Sequence, residues 1–322
     1  MRLLVTGGAG FIGSNFVRRL LTDSTSSVTK IIVLDKLTYA GTFENLEAFQ
    51  DDMRFQFIHG DINNQTLVEN LFEKVDAVVH FAAESHVDRS ILEAAPFIET
   101  NVLGTASLLE TLRKFPKVKF LHVSTDEVYG SINEGSWNEE FPISPNSPYA
   151  ASKASSDLLA LAYQRTYGLD ILVSRCCNNY GPNQFPEKLI PLFITNLIQG
   201  RKVPVYGDGK NIREWIHVDD HCDALNLILS KGESGQIYNI GSSFELSNLE
   251  ITNLILEAFN RGEDSIEYVS DRPGHDYRYS LDYSKAKSKL GYSPKIDFIN
   301  GLRKTVDWYL ENQTWWDSKI QK

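Results

Sequence analysis

The residues best suited to moving protons are concentrated between Ser124 and Lys153. At one end stand Thr125, Asp126 and Glu127, within Ser124-Thr125-Asp126-Glu127-Val128-Tyr129-Gly130. At the other, Tyr149 and Lys153 are spaced to lie one turn apart on a single helix face. A tyrosine hydroxyl titrates near ~10 and is a poor base at neutral pH. A lysine ammonium one turn away, helped by a cationic cofactor ring, would favour the phenolate. Tyr149 would then take a proton from a substrate hydroxyl while hydride departs. Asp126 and Glu127 suit a different step. Two neighbouring carboxyls in a closed site resist ionising together, so one pKa rises. That leaves one acid and one base, which an elimination of water requires. Taken alone, the same two acids also fit a solvated turn or a cap.

The elements around these residues must bring them together. Apolar strands are predicted at Arg2 to Thr6, Lys30 to Leu34, Arg54 to His59, Ala77 to Phe81, Lys119 to Val123 and Asp170 to Arg175. Helices are predicted between them, including Gln65 to Phe72, about Phe97 to Lys114, and Tyr149 to Tyr167. Such alternation predicts an α/β fold with a Rossmann-type, doubly wound parallel sheet. Thr125, Asp126 and Glu127 then emerge at a strand's C-terminal edge, where ligands bind in open α/β sheets. Ser147 is a suitable cap and Pro148 a suitable first-turn residue for the helix carrying Tyr149 and Lys153. After about Asn178 prolines break the pattern, which predicts a smaller mixed α/β substrate domain. The expected division is 1–177 and 178–322, with a segment near 212–242 packing back on the first domain.

Composition narrows the function classes. The 322 residues carry 42% hydrophobic and 23% charged residues, close to globular averages. A formal net charge of −10 argues against non-specific binding to nucleic acid or anionic membrane. Cys176, Cys177 and Cys222 make neither a disulfide framework nor a spaced metal site. No apolar run approaches membrane-spanning length, and Met1-Arg2 leads straight into a strand, so a cytoplasmic setting is expected.

Gly7, Gly10 and Gly13 form G-x-x-G-x-x-G between the first strand and the first helix. In that context the pattern marks a dinucleotide-binding turn, with phosphates held at the helix N-terminus. Asp35 ends the second strand about 20 residues on, where an acid accepts hydrogen bonds from the adenosine ribose. Its charge would repel a 2′-phosphate, which favours NAD over NADP, although Lys36 beside it works the other way. Asp61, ending the third strand, is placed either to reach the adenine amino group or to cap the strand end.

With these residues assembled, the chain closely resembles the dTDP-glucose 4,6-dehydratases of the extended short-chain dehydrogenase/reductase family, over essentially its whole length. The markers are Asp35-Lys36-Leu37-Thr38-Tyr39-Ala40-Gly41, Ala82-Ala83-Glu84-Ser85-His86-Val87-Asp88-Arg89-Ser90 and the Ser124 to Gly130 run. Others are Asn178-Asn179-Tyr180-Gly181-Pro182, Phe185-Pro186-Glu187-Lys188-Leu189-Ile190-Pro191 and Asp271-Arg272-Pro273-Gly274-His275-Asp276. The resemblance implies that Tyr149 takes the C4 hydroxyl proton, that Glu127 abstracts the C5 proton, and that Asp126 protonates the departing C6 hydroxyl. It implies a tightly bound NAD lined by Phe11, Ile12, Lys36, Leu37, Thr38, Ile62, Phe81, Ala82, Ala83, Ser85, Thr100 and Asn179. It also implies sugar-nucleotide contacts from Ser85, Thr125, Asn178, Lys188, Leu189, Pro204, Tyr206, Arg213, Asn248, Arg272, His275 and Tyr279. Arg213 and Arg272 suit diphosphate, since a planar guanidinium binds phosphate oxygens bidentately. Glu84, His86 and Asp88 have the donor types of a metal site but no closed ligand set, and the chemistry needs no metal. The same resemblance implies a homodimer, formed by pairing the Phe97 to Lys114 and Tyr149 to Tyr167 helices into a four-helix bundle.

The chain departs from the family pattern at Cys177, at Asn183-Gln184 in place of tyrosine-histidine, and at Tyr277 in place of arginine. Three other readings remain: a UDP-glucose 4,6-dehydratase, a sugar-nucleotide 4-epimerase, or a non-catalytic dinucleotide sensor. An epimerase needs the glycines and the tyrosine–lysine pair but not Asp126 and Glu127.

Overall fold

The computed structural model describes residues 1–320. Its first half alternates β1 (Arg2–Thr6), α1 (Phe11–Thr22), β2 (Lys30–Asp35), β3 (Phe55–His59), α2 (Gln65–Phe72) and β4 (Ala77–His80). Then come α3 (Val87–Leu92), α4 (Ala95–Phe97), α5 (Thr105–Lys114), β5 (Lys119–Thr125), α6 (Pro148–Tyr167) and β6 (Ile171–Cys176). The second half carries β7 (Asn178–Tyr180), α7 (Leu189–Ile198), β8 (Val203–Tyr206), β9 (Ile212–His217), α8 (Val218–Lys231), β10 (Ile237–Ile240) and β11 (Glu245–Ser247). It ends with α9 (Asn248–Ala258), β12 (Ile266–Val269), α10 (Ser284–Leu290), α11 (Phe298–Glu311) and α12 (Gln313–Ile320).

The main sheet has the order β10-β6-β5-β4-β1-β2-β3, and every pairing in it is parallel. Its strands β1, β2 and β6 carry runs of Leu, Ile and Val buried on both faces, because helices cover both sides of the sheet. The chain leaves β3 at one edge and returns as β4 on the far side of β1. That reversal opens a crevice at the strands' C-terminal ends. The seventh strand, β10, comes from the second half of the chain, and α8 packs against α1. A separate core gathers Tyr180, Ile194, Trp215, Ile255, Phe298 and Tyr309. Beside it lie a three-stranded sheet (β11-β9-β7) and a two-stranded one (β12-β8).

Two local differences from the sequence reading bear on the site. β5 runs on to Thr125 rather than stopping at Val123, because Ser124 and Thr125 stay in register with Arg175 and Cys176 of β6. The helix expected from Phe97 begins at Ala95 and contains a π-helical stretch, Ile98–Gly104, between α4 and α5. The wider turn carries Thr100 on the wall of the crevice. Such turns recur at functional positions.

Candidate active site

The turn after β1 is built from contacts that only glycine permits. Gly7 has φ +70°, and a Cβ there would sit 2.5 Å from the Ala82 amide nitrogen at the exit of β4. A Cβ on Gly13 would sit 2.5 Å from the Gly7 carbonyl oxygen. The loop therefore lies flat against the sheet edge and delivers the N-terminus of α1 into the crevice. That terminus has neither a side-chain cap nor an acidic residue in its first turn. Its amide donors and dipole are left for an anion. Asp35 accepts from the Ala9 amide at 2.9 Å and the Leu37 amide at 2.8 Å, so it braces the glycine loop. Lys36 Nζ lies 2.7 Å from Asp61, which removes it as a free partner for a 2′-phosphate.

The candidate proton-transfer residues are fixed from two sides. Thr125 Oγ1 accepts from the Glu127 amide at 3.2 Å and donates to Asp126 Oδ1 at 3.1 Å, turning the end of β5 into a single 3₁₀ turn. Gly130 closes that turn at φ +84°, where a Cβ would meet the Ser144 carbonyl at 2.3 Å. Helix α6 starts as its sequence dictates: Ser147 Oγ accepts from the Ala150 amide, and Pro148 takes the first turn. Ser90 Oγ accepts from the Tyr149 amide at 3.1 Å. Asn101, a buried residue of the π-helical stretch, exchanges hydrogen bonds with the Glu84 backbone and donates to Ser152 Oγ at 2.8 Å. Strand β4's exit, the long helix and the residue before Lys153 are thereby locked together.

One cavity of about 310 Å³ joins these parts. Gly7, Gly10, Phe11, Ile12, Gly13, Asp35, Lys36, Thr38, Asp61, Ile62, Phe81, Ala82, Ala83, Ser85, Thr100 and Asn179 line it. So do Thr125, Asp126, Glu127, Tyr149, Lys153, Asn178 and Lys188. Leu37 does not: at φ +52° it turns away and packs against the core. Leu189, Pro204, Tyr206, Arg213, Asn248, Arg272, His275 and Tyr279 also lie outside this cavity's lining. Several of them form a second cluster next to the acids. Arg272 pairs with Asp88 at 3.2 Å, and Tyr206 donates to the other oxygen of Asp88 at 3.2 Å. His275 Nδ1 is 2.6 Å from Asp271. Arg213 is turned inward onto the carbonyls of Ile212, Asp276 and Tyr277 and over the Tyr279 ring, so its guanidinium is largely engaged within the protein.

Electrostatics separate the two acids. Asp126 is 1% exposed, and its Oδ2 has no hydrogen-bond partner. Burial, then the charges of Glu127 and Glu214, push its pKa well above the usual carboxylate range. Burial also raises Glu127, but Arg272, Lys188 and Arg213 pull it back. Asp126 is thus the member that keeps a proton and Glu127 the one that loses it first. The tyrosine–lysine pair differs from the sequence expectation. Lys153 Nζ donates to the Val123 carbonyl at 2.8 Å, and burial lowers its pKa to about 8. Tyr149 is pushed up, first by burial and then by Glu127, Cys176 and Asp126. The tyrosine therefore stays protonated, because burial disfavours the phenolate and two acids add to that effect.

Sequence reasoning assigned no cofactor or substrate contact to several cavity residues, among them Glu84, Cys176, Gln184, Phe185 and Glu187. Glu187 sits inside a quoted motif, and Arg89 both reaches it at 3.3 Å and stacks on Tyr39. Among the described residues no group of His, Cys, Asp and Glu could hold a metal ion, and no helix is long and apolar enough to cross a membrane.

Comparisons with known proteins agree with this architecture. A dTDP-glucose 4,6-dehydratase of Streptomyces niveus is 55% identical over 319 residues, covering 98% of this chain and 95% of that protein. The low-salt glycan biosynthesis protein Agl12 of Haloferax volcanii is 53% identical over 310 residues, covering 96% and 99%. The solved structure of the dTDP-glucose 4,6-dehydratase DesIV from Streptomyces venezuelae, with NAD and dTDP bound, superposes with a TM-score of 0.98. It is 56% identical, with 99% of this chain and 100% of that one covered. The profile of the family described as GDP-mannose 4,6 dehydratase matches residues 4–305, and the chain belongs to that family.

Proposed function

We propose that this protein is a dTDP-glucose 4,6-dehydratase, a lyase that converts dTDP-glucose to dTDP-4-keto-6-deoxy-glucose and water. The observation that carries the reading is the pairing of a buried, proton-retaining Asp126 with Glu127 on the same cavity wall as Tyr149 and Lys153. The cofactor is NAD. The glycine cradle, the uncapped N-terminus of α1 and the Asp35 carboxylate fit a dinucleotide without a 2′-phosphate. When bound, NAD supplies reversible hydride transfer and a positive charge beside the phenol.

Tyr149 takes the C4 hydroxyl proton, and that nearby positive charge offsets the effect of the two acids on its pKa. Lys153, anchored on Val123, would hold the nicotinamide ribose of the bound dinucleotide. The resulting 4-ketone acidifies the C5 proton, which Glu127 removes as base. Asp126 donates its proton to the departing C6 hydroxyl, completing loss of water. Thr125, bonded to both acids, holds them in register. With NAD bound, the hydride taken from C4 would be given back to C6 and the proton held by Glu127 to C5, so the product is neither oxidised nor reduced overall.

The chain divides into a dinucleotide half, 1–177 with the returning segment near 212–242, and a sugar-nucleotide half from 178. Lys188 and Arg272 supply local positive charge for the diphosphate in an otherwise acidic protein. Leu103 and Leu158, 57% and 56% exposed on the long helix and on α6, support pairing of these helices in a homodimer. The setting is cytoplasmic, in deoxysugar nucleotide synthesis.

The test is incubation of purified protein with dTDP-glucose and, separately, UDP-glucose, following the 4-keto-6-deoxy product. Turnover of dTDP-glucose alone or in large excess is expected. Product from neither sugar refutes the dehydratase reading, and a 4-epimer as the sole product would assign the epimerase reaction instead.

A further inference from the structure

Gln184 lies on the cavity wall yet is 8% exposed. Its Nε2 donates to the Asn179 backbone carbonyl at 2.9 Å. A carbonyl only accepts, so this bond fixes which end of the amide is which. The remaining atom, Oε1, is buried and has no hydrogen-bond partner. A buried acceptor at a ligand cavity is satisfied when a ligand donor meets it.

The placement of that acceptor is constrained on every side. The Gln184 backbone carbonyl accepts from the hydroxyl of Tyr309, a fully buried residue of α11. Asn183 before it, at φ +66°, accepts from Arg18 of α1 at 2.6 Å and donates to Asn45 Oδ1 at 3.2 Å. Asn45 in turn donates to the Ala9 carbonyl in the glycine loop at 2.9 Å and accepts from Trp315 of α12 at 2.9 Å. The C-terminal helices and the glycine turn thus hold Gln184 between them. These are two of the positions at which the sequence departs from its family pattern.

We infer that Gln184 is a cofactor-retention residue, accepting a hydrogen bond from a hydroxyl or carboxamide N–H on the nicotinamide half of the dinucleotide. The inference rests on the dinucleotide reading of the cavity. Phosphate oxygens carry no proton at neutral pH, so the pyrophosphate is not its partner. The adenosine end is marked by Asp35 and Asp61. Gln184 instead adjoins Asn179, whose amide donates to Cys177 O at 3.0 Å and to Cys176 Sγ at 3.5 Å. Cys176 is paired with Thr125 across the sheet and lines the same cavity as Tyr149 and Lys153. Hydride leaves the carbon whose hydroxyl Tyr149 deprotonates, so the nicotinamide half must sit beside Tyr149, on the wall that Gln184 shares. Retention suits a reaction that returns its hydride in every cycle.

The experiment is calorimetric titration of dinucleotide-free protein with NAD and with ADP, which lacks the nicotinamide half. Gln184→Met should weaken NAD about three- to tenfold, the range of one neutral hydrogen bond, and leave ADP unchanged. Gln184→Glu, which keeps an acceptor but loses the bond to Asn179, should retain more NAD affinity than Gln184→Met. Unchanged NAD binding in Gln184→Met overturns the inference, as does an equal loss for NAD and ADP. Equal losses in the Glu and Met variants would place the effect in the Asn179 contact and overturn it too. Failure of the unaltered protein to bind either ligand would instead refute the dinucleotide reading beneath it.

Discussion

Replacing Lys153 by methionine offers a test of the site's electrostatics that needs no substrate. Lys153 is fully buried, and its pKa falls from the ordinary 10.5 to about 8. Burial is the main cause, only partly opposed by Asp157 one turn further along α6. Between these two pH values the unfolded chain holds a proton on this lysine that the folded chain has released. Stability from this group therefore rises with pH, starting near pH 8 and complete near pH 10.5. The gap of about 2.5 pH units, at 1.36 kcal/mol each, amounts to about 3 kcal/mol. Methionine fills a similar volume and does not titrate. Its loss of the bond to Val123 acts at every pH and moves the whole curve without changing its slope. His80 and His122, which Lys153 also influences, have pKa values already pushed far below this window. The assay is urea denaturation of both proteins, without added dinucleotide, at intervals from pH 7 to 10.5. The stability difference, wild type minus variant, should move in favour of wild type by about 3 kcal/mol across that range. A difference that stays flat would mean that Lys153 titrates normally in the folded protein, and the account of its burial would be wrong.

Two further outcomes follow from the same geometry. Asp126→Asn and Glu127→Gln should each slow elimination about 10²-fold or more while C4 oxidation survives, visible as reduced-nicotinamide absorbance that builds up on adding dTDP-glucose. Loss of that absorbance with elimination intact would reverse the assigned roles. Leu158→Arg, at an exposed apolar position on α6, should convert a dimer to monomer in sedimentation at micromolar concentration. A wild-type protein that sediments as monomer at that concentration would remove the dimer from the account.

Much of the site was legible in the chain because its determinants are local. The glycine spacing after β1, the cap and proline before Tyr149, and the one-turn offset to Lys153 each act within a few residues. Asp35 was legible for the same reason, as the residue that ends a buried strand. Leu37 was not. Its sequence neighbours contact the cavity, but a left-handed backbone angle sends its side chain the other way, and that angle depends on how the loop packs against Asp35 and the core.

By itself, the sequence determined the alternation that makes the parallel sheet, the strand edge at which the cavity opens, and the candidate proton-transfer residues that line it. Only the tertiary structure decided how those residues share their charge. Asp126 retains its proton because burial, Glu127 and Glu214 act on it together, while three cations from distant segments relieve Glu127. Lys153 is buried against the Val123 carbonyl, to which its Nζ donates, and burial lowers its pKa to about 8. Gln184 becomes a cavity acceptor because α11, α12 and the glycine loop converge on it from opposite ends of the chain. Desolvation and long-range Coulomb terms depend on what surrounds a group in three dimensions, and neighbours in space are not neighbours in sequence.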